Sequence, residues 1–366
     1  MKHSSVTFIG MAALSAALFF VGCPTGIEET SPFSTPAEYR EMLRIEGTGA
    51  DKTLVITGAG TDGVFVAGRT VTLSPYEIAK YETTYQLWND VFEWAILDVR
   101  GEGQYVFAFP GYEGHQPVDT SGQNRTGTSI EKFWTPEQKR TRAVTYISWR
   151  DAMIWCNAYS ELCGLTPVYY QDEAYTRVQR KATDTGGANT DADKVYVKRD
   201  AEGYRLPTEA EWEAAARGGS PSDDPESAWN TNYAGGKKVE SIAWFRANAG
   251  PDLSGNATGS DEEQDTVLAT NHRNYGVHPV GTLPANGAGL FDMSGNAYEW
   301  CYDWYAASVG TGDAPDPAGP LSGSARVMRG GSWRHAALSC RVDTRASYPP
   351  DDGGDYIGFR VARSVH

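Results

Sequence analysis

Apolar side chains return at intervals of three, four and seven through residues 148–162, where Trp149, Ala152, Met153, Cys156 and, just beyond, Cys163 share one stripe. Ser148 and Asp151 stand as a capping box, so the spacing predicts a helix there. Residues 82–96 place Tyr85, Trp88, Val91, Phe92 and Trp94 near the same period and predict a first core helix. A third helix is predicted from Thr208, whose capping-box partner is Glu211, to a stop at Gly218. Three stretches, 53–56, 64–67 and 70–73, are rich in β-branched residues, bounded by glycine, and predict strands. Elsewhere the pattern thins. Residues 100–141 and 171–201 are polar and without period, and 248–273 are rich in Gly, Asn and Asp; connections of that length are uncommon unless functional or disordered. The acidic run Asp261, Glu262, Glu263, Asp265 reads as a solvated loop.

One apolar run fits none of these elements. Lys2 and His3 precede an apolar stretch from Phe8 to Val21, too short to span a bilayer, which ends in Phe20-Val21-Gly22-Cys23. It resembles a bacterial lipoprotein lipobox, with Phe in place of the usual Leu at its first position. The resemblance implies cleavage after Gly22, a lipid on Cys23 and a cell-envelope protein; exposure on the outer surface is a further expectation. Residues 1–22 are then a signal peptide, 23–51 a tether, and 52–366 the folded domain.

Composition narrows the class. With 366 residues, 40% hydrophobic content and 11 Trp, the chain can bury a sizeable core. A formal charge of -15 without a Lys/Arg cluster excludes a nucleic-acid or anionic-lipid surface as partner, leaving the lipid anchor as the membrane contact. Beyond Cys23 stand Cys156, Cys163, Cys301 and Cys340. Cys156 and Cys163 lie about 10 Å apart along one helix, beyond disulfide reach, and Cys301 with Cys340 is the expected pair if one forms.

The C-terminal segment 326–366 is the most informative. RVMRGGSW opens it, IGFRVAR closes it, and the residues between follow neither period, as a scaffold presenting a site would. From Arg334 to His366 the chain uses no Lys, Glu, Gln, Met or Trp. Those types make up roughly a fifth of an ordinary protein, so chance produces such a gap about once in a thousand.

Four motifs then occur in order: AVTYISWRDAMIWCNAYSE, YRLPTEAEWEAAARGG, HPVGTLPANGAGLFDMSGNAYEWCYDWY and RVMRGGSW…IGFRVAR. Together they resemble the formylglycine-generating enzyme and sulfatase-modifying family over residues 71–363. The resemblance implies an α+β variant of the C-type lectin fold with short twisted strands, two to three helices and much irregular backbone. It also implies a structural calcium ion at Asp292, Gly295, Ala297 and Glu299. The family's oxidases hold copper(I) between two cysteines, because that soft ion takes two thiolates in a linear site. Here the second position is Cys340, the first is His335, and Tyr298 stands where the family carries Trp. No copper and no catalytic residue are therefore expected.

The segment GGSW…CR…R…GFRV is similar to the variable proteins of diversity-generating retroelements, whose template adenines, mostly in Asn codons, are replaced at random. Randomising both adenines of AAC yields no codon for Lys, Glu, Gln, Met or Trp, the types absent here. The resemblance implies a frame of Arg329, Gly330, Gly331, Ser332, Trp333, Cys340, Arg341, Arg345, Gly358, Phe359 and Arg360. It implies ligand-contacting positions at Arg334, His335, Ala336, Ala337, Ser339, Asp343, Thr344, Ser347, Tyr348, Pro350, Asp351, Asp352, Gly353, Gly354, Asp355 and Tyr356. Tyr348 and Tyr356 are the expected anchors, since rigid amphipathic rings give contact area at low entropy cost. The expectation is a monomeric, non-catalytic protein binding a protein or other surface ligand. Its rivals are a metal-dependent oxidase and an envelope lectin-like protein with a fixed ligand.

Overall fold

The computed structural model describes residues 31–113, 135–183, 190, 192–218, 221, 228–249 and 276–366. The expected signal segment, Cys23 and the acidic run 261–265 lie outside the described residues. Strands β1 (Met42–Ile45), β2 (Leu54–Thr57), β3 (Arg69–Leu73) and β4 (Tyr76–Ala79) precede helices α1 (Tyr85–Ala95), α2 (Pro136–Arg140) and α3 (Trp149–Leu162). Then come β5 (Tyr169–Tyr170), β6 (Tyr196–Val197), β7 (Tyr204–Arg205) and helix α4 (Glu209–Ala216). The C-terminal part contains β8 (Tyr298–Trp304), β9 (Gly312–Pro315), β10 (Arg326–Arg329), β11 (Ala346–Tyr348), β12 (Ile357–Gly358) and β13 (Ala362–Ser364).

Two four-stranded sheets organise these pieces, ordered β1-β4-β13-β7 and β11-β10-β8-β12. A three-stranded sheet β2-β3-β9 and the β5-β6 pair complete the strands. β13 lies between β4 and β7, with Ala362 opposite both Ile78 and Arg205. β8 is the longest strand and, unlike a half-solvated strand, buries six of its seven residues.

The helices begin where their side chains cap them. Thr84 accepts from the Leu87 N–H to start α1, and Ser148 with Asp151 and Thr208 with Glu211 form reciprocal boxes at α3 and α4. α1 packs on α3 through Trp88 and Trp155, stacked at 5.8 Å, with Phe359 edge-on to both. All three rings are fully buried, and truncating one such Trp costs about 3–5 kcal/mol.

Three expectations change. α3 is buried on every side from Trp149 to Ser160 instead of along one stripe, which a charged residue survives only when paired. Arg150 is satisfied by a bidentate bridge to buried Asp193 at 2.8 Å. Asp151 both caps the helix and accepts the Ala108 N–H at 2.7 Å, while burial lifts its carboxyl to about 6. Second, the stretch expected as a tether up to residue 51 is folded over much of its length. β1 pairs with β4, and the Phe33 ring meets Tyr159 edge-on at 5.7 Å, so this segment buries apolar surface. Third, residues 64–67 form a turn instead of a strand, because the Val64 N–H is spent on the Glu213 carboxylate at 2.8 Å.

Candidate functional site

The carboxylates of α4 organise the C-terminal segment. Glu209 and Glu213 are four apart on one face, and both are buried. Glu213 receives Arg329, Arg217 at 2.7 Å and the Val64 N–H. Glu209 holds Arg345 through both oxygens at 2.6 and 2.7 Å. Arg329 then reaches on to the carbonyls of Val342 and Thr344. Buried charges persist only when paired and hydrogen-bonded, and here the pairing fixes the backbone beyond them.

Arg360 anchors the other end. It meets both oxygens of Glu299 at 2.7 Å and the carbonyls of Ala79, Lys80 and Phe291, while the Trp212 indole donates to the same carboxylate at 2.7 Å. Gly331, at φ +73°, places its α-carbon so close to Cys340 that a Cβ would fall 2.8 Å from that residue's backbone. The Gly-Asn turn supports Trp333: the Asn296 carbonyl accepts the Trp333 N–H, and the Asn296 side chain accepts the His278 N–H at 2.8 Å and donates to Glu82.

The rest of the molecule holds the segment by its backbone. The carbonyls of Pro350, Gly354 and Tyr356 accept the N–H groups of Arg150, Tyr146 and Tyr298, and the His335 carbonyl accepts from Arg246. Ser294 donates to the Cys340 carbonyl, Val342 bonds the Asn232 carbonyl through its N–H, and the Trp333 indole reaches the Asp355 carbonyl. None of these contacts uses the side chain of an expected ligand-contacting position.

Those side chains fall into two groups. Arg334, His335, Tyr348 and Tyr356 gather in a half-exposed aromatic cluster with Tyr298, the His335 ring lying 4.9 Å from Tyr298 and 5.0 Å from Tyr356. Arg334 pairs with Asp355 at 3.0 Å and rests 5.0 Å over the Tyr356 ring. Asp352 is exposed, and Asp351, Ser347, Ala336 and Ala337 are partly so. Ser339, Asp343 and Thr344 instead line an open cleft of about 720 Å³ with Thr61, Asp62, Tyr305 and Ser308. Pro350, Gly353 and Gly354 are a correction: they are buried. A Cβ at Gly353 would stand 2.9 Å from the Ile147 backbone, so glycine there serves packing. Of the expected frame, Arg341 and Arg345 are the two residues left partly exposed. Leu338, 70% exposed on the cleft, and Tyr146, beside Gly354, were missed: neither stands out by pattern, and Tyr146 is brought in by a distant hydrogen bond.

The implied calcium set does not fit. Glu299 is committed to Arg360 and Trp212, so Asp292 alone would offer a free side-chain oxygen. Among the described residues no three His, Cys, Asp or Glu side chains converge to hold a metal ion. Burial instead lifts the Asp292 carboxyl to about 6, and burial together with the charges of Asp292 and Glu299 raises Glu82 well above its usual range. Cys301 and Cys340 are likewise not paired. Both are free, buried in separate clusters, Cys301 with Val327 and Cys340 with Phe245. Burial pushes the Cys340 thiol up to about 12, so at neutral pH it is a thiol, and the neighbouring position is His335, hydrogen-bonded to Ser332 at 2.6 Å.

Short strands, capped helices and a long irregular segment clamped by buried arginines define a C-type-lectin-like α+β domain. The family model for the sulfatase-modifying factor enzyme 1-like domain matches residues 29–365, and the chain belongs to that family. It is 30% identical over 297 residues to a chaperone protein, LppX, of Paenibacillus barcinonensis, covering 81% of this chain and 82% of that one. It is 36% identical over 167 residues to the formylglycine-generating enzyme of Thermomonospora curvata, which covers 44% of this chain and 49% of the enzyme. Among solved structures, Treponema denticola variable protein 1 superposes with a TM-score of 0.58 at 27% identity, covering 88% of this chain and 95% of its own. CarF superposes with a TM-score of 0.59 at 23% identity over 89% and 98% of the two chains, a likeness of fold.

Proposed function

We propose that this is a non-catalytic, envelope-anchored protein that binds a ligand through diversified side chains of its C-terminal segment. The observation that carries the reading is the grip on the segment's backbone. Val342, Thr344, Pro350, Gly354 and Tyr356 are held by main-chain atoms, so the half-exposed side chains along the segment can change while the loop keeps its course. The likeness to a Treponema denticola variable protein supports it, as does the codon signature. His335 at the first thiol position and a Cys340 thiol held at about 12 argue against family-type oxidation. The lipobox-like stretch supports an envelope lipoprotein, and a diversified site that meets outside ligands requires exposure on the outer surface.

Sequencing the 3′ end of the gene in sibling isolates tests the reading. Changes confined to the half-exposed positions are expected, with an adenine-rich near-copy and a reverse transcriptase gene nearby; changes scattered over the buried frame would sink it. Copper(I) loading followed by a peptide-cysteine oxidation assay is expected to show no turnover. A second reading, that the same face holds a partner protein as a chaperone does, is favoured by the identity to LppX. Siblings with identical C-terminal segments would favour that reading over diversification.

A further inference from the structure

Tyr146 is a bulky residue at φ +58°, in the left-handed region that costs an L-residue about 1–2 kcal/mol. Such an outlier persists where its surroundings over-determine it, and its location is a guide to function. Two contacts pin it: its N–H bonds the Gly354 carbonyl at 2.9 Å, and its neighbour Thr145 exchanges backbone bonds with Tyr112. The half-buried ring is thereby turned edge-to-face against Phe109 and Tyr112, both at 5.6 Å. None of these three residues belongs to the segment 326–366, and Tyr146 joins them to it through Gly354.

The charge beside this ring is negative. Burial first, and then the charge of Asp352, raises the Tyr146 hydroxyl, and Asp352 acts likewise on Tyr348. Asp352 is exposed, and no basic side chain pairs with it among the described residues. Close by, the same face already seats a cation: the Arg334 guanidinium lies 5.0 Å over Tyr356 and bonds Asp355. Ring plus carboxylate is the combination that holds an ammonium or guanidinium.

The geometry points to a fixed aromatic wall, Phe109, Tyr112 and Tyr146, that together with Asp352 and Tyr348 takes a lysine or arginine side chain of a protein ligand. The inference rests on the binding reading above and adds to it a constant half of the site and a partner chemistry. A chain of net charge -15 favours a basic partner at long range as well.

The full protein with 13C-labelled tyrosine is titrated with Nα-acetyl-lysine methylamide and, separately, with its neutral norleucine counterpart, reading ring resonances by NMR. Saturable shifts of Tyr146 and Tyr348 are expected with the lysine probe, and affinity for the norleucine probe is expected to be about tenfold weaker. Tyr146→Asn keeps a residue that tolerates the left-handed backbone and removes the ring; it and Asp352→Asn should each weaken the lysine probe about three- to tenfold at unchanged melting temperature. Equal response to both probes, no saturable shift, or wild-type affinity in both variants overturns the inference. Sibling sequences separate it from the reading beneath: variable half-exposed positions together with a silent lysine probe remove this inference alone, whereas invariant siblings remove diversification whatever the probe does.

Discussion

Arg360 and Arg334 lie in the same C-terminal segment and are treated in opposite ways. Arg360 is 0% exposed and meets five oxygens, two of Glu299 and three of carbonyls on distant parts of the chain. Arg334 keeps 26% of its side chain in solvent and bonds one oxygen of Asp355. A guanidinium withdrawn from water must have its donors met in place, so Arg360 dictates where the backbone runs. Arg334 has water as an alternative, and its pair contributes at most about 1 kcal/mol. The difference shows that a single segment can hold residues that specify the fold and residues the fold scarcely notices.

Replacing Arg360 by Ala probes the first kind most severely. It leaves Glu299 buried without its cation and should cost about 3–5 kcal/mol in urea unfolding; a loss below about 1 kcal/mol would remove the contrast. Gly331→Ala comes next, at about 2–3 kcal/mol, because φ +73° and the Cys340 backbone both oppose a Cβ. A melt showing no change would mean that the Gly-Gly turn shifts freely. Asp303 tests the anchors by pH. Its carboxylate accepts the Glu209 N–H at 2.8 Å, and burial, then the charge of Glu209, raises the carboxyl from 3.8 to about 8. The folded state therefore holds this proton more tightly than the unfolded chain, so its contribution is full below about 4 and is lost as pH rises to about 8. Asp303→Asn should flatten the fall in stability across that window, and an unchanged slope would place the titration elsewhere. Arg334→Ala is expected to shift stability by less than about 1 kcal/mol, and Ser339→Ala by less than about 0.5 kcal/mol. Either variant unfolding at a much lower urea concentration would show that the half-exposed positions also carry the frame.

What could be read without coordinates was local or modular. The capping boxes at Ser148 and Thr208 are formed by residues three apart, so the starts of α3 and α4 were legible. The composition of 334–366 and the GGSW and GFRV motifs marked the segment proposed to carry the site. Partners far apart in sequence were not legible. Nothing near Val64 announces Glu213, and this bond turns an apparent strand into a turn. Glycine has two uses in this segment, and composition does not separate them: Gly353 and Gly354 fall among the expected contacts but are wedged against the Ile147 backbone and the Tyr356 ring. The pairing of Cys301 with Cys340 failed for a similar reason, since counting thiols says nothing about which core cluster each enters.

The place of β13 has a consequence for the order of folding. Residues 362–364 fill the gap between β4 and β7, so the sheet begun by residues 42–45 and 76–79 stays open until residues 362–364 have been made. Pairings that span so much sequence form slowly. A chain that stops short of residue 362 therefore leaves β4 and β7 without the strand that joins them.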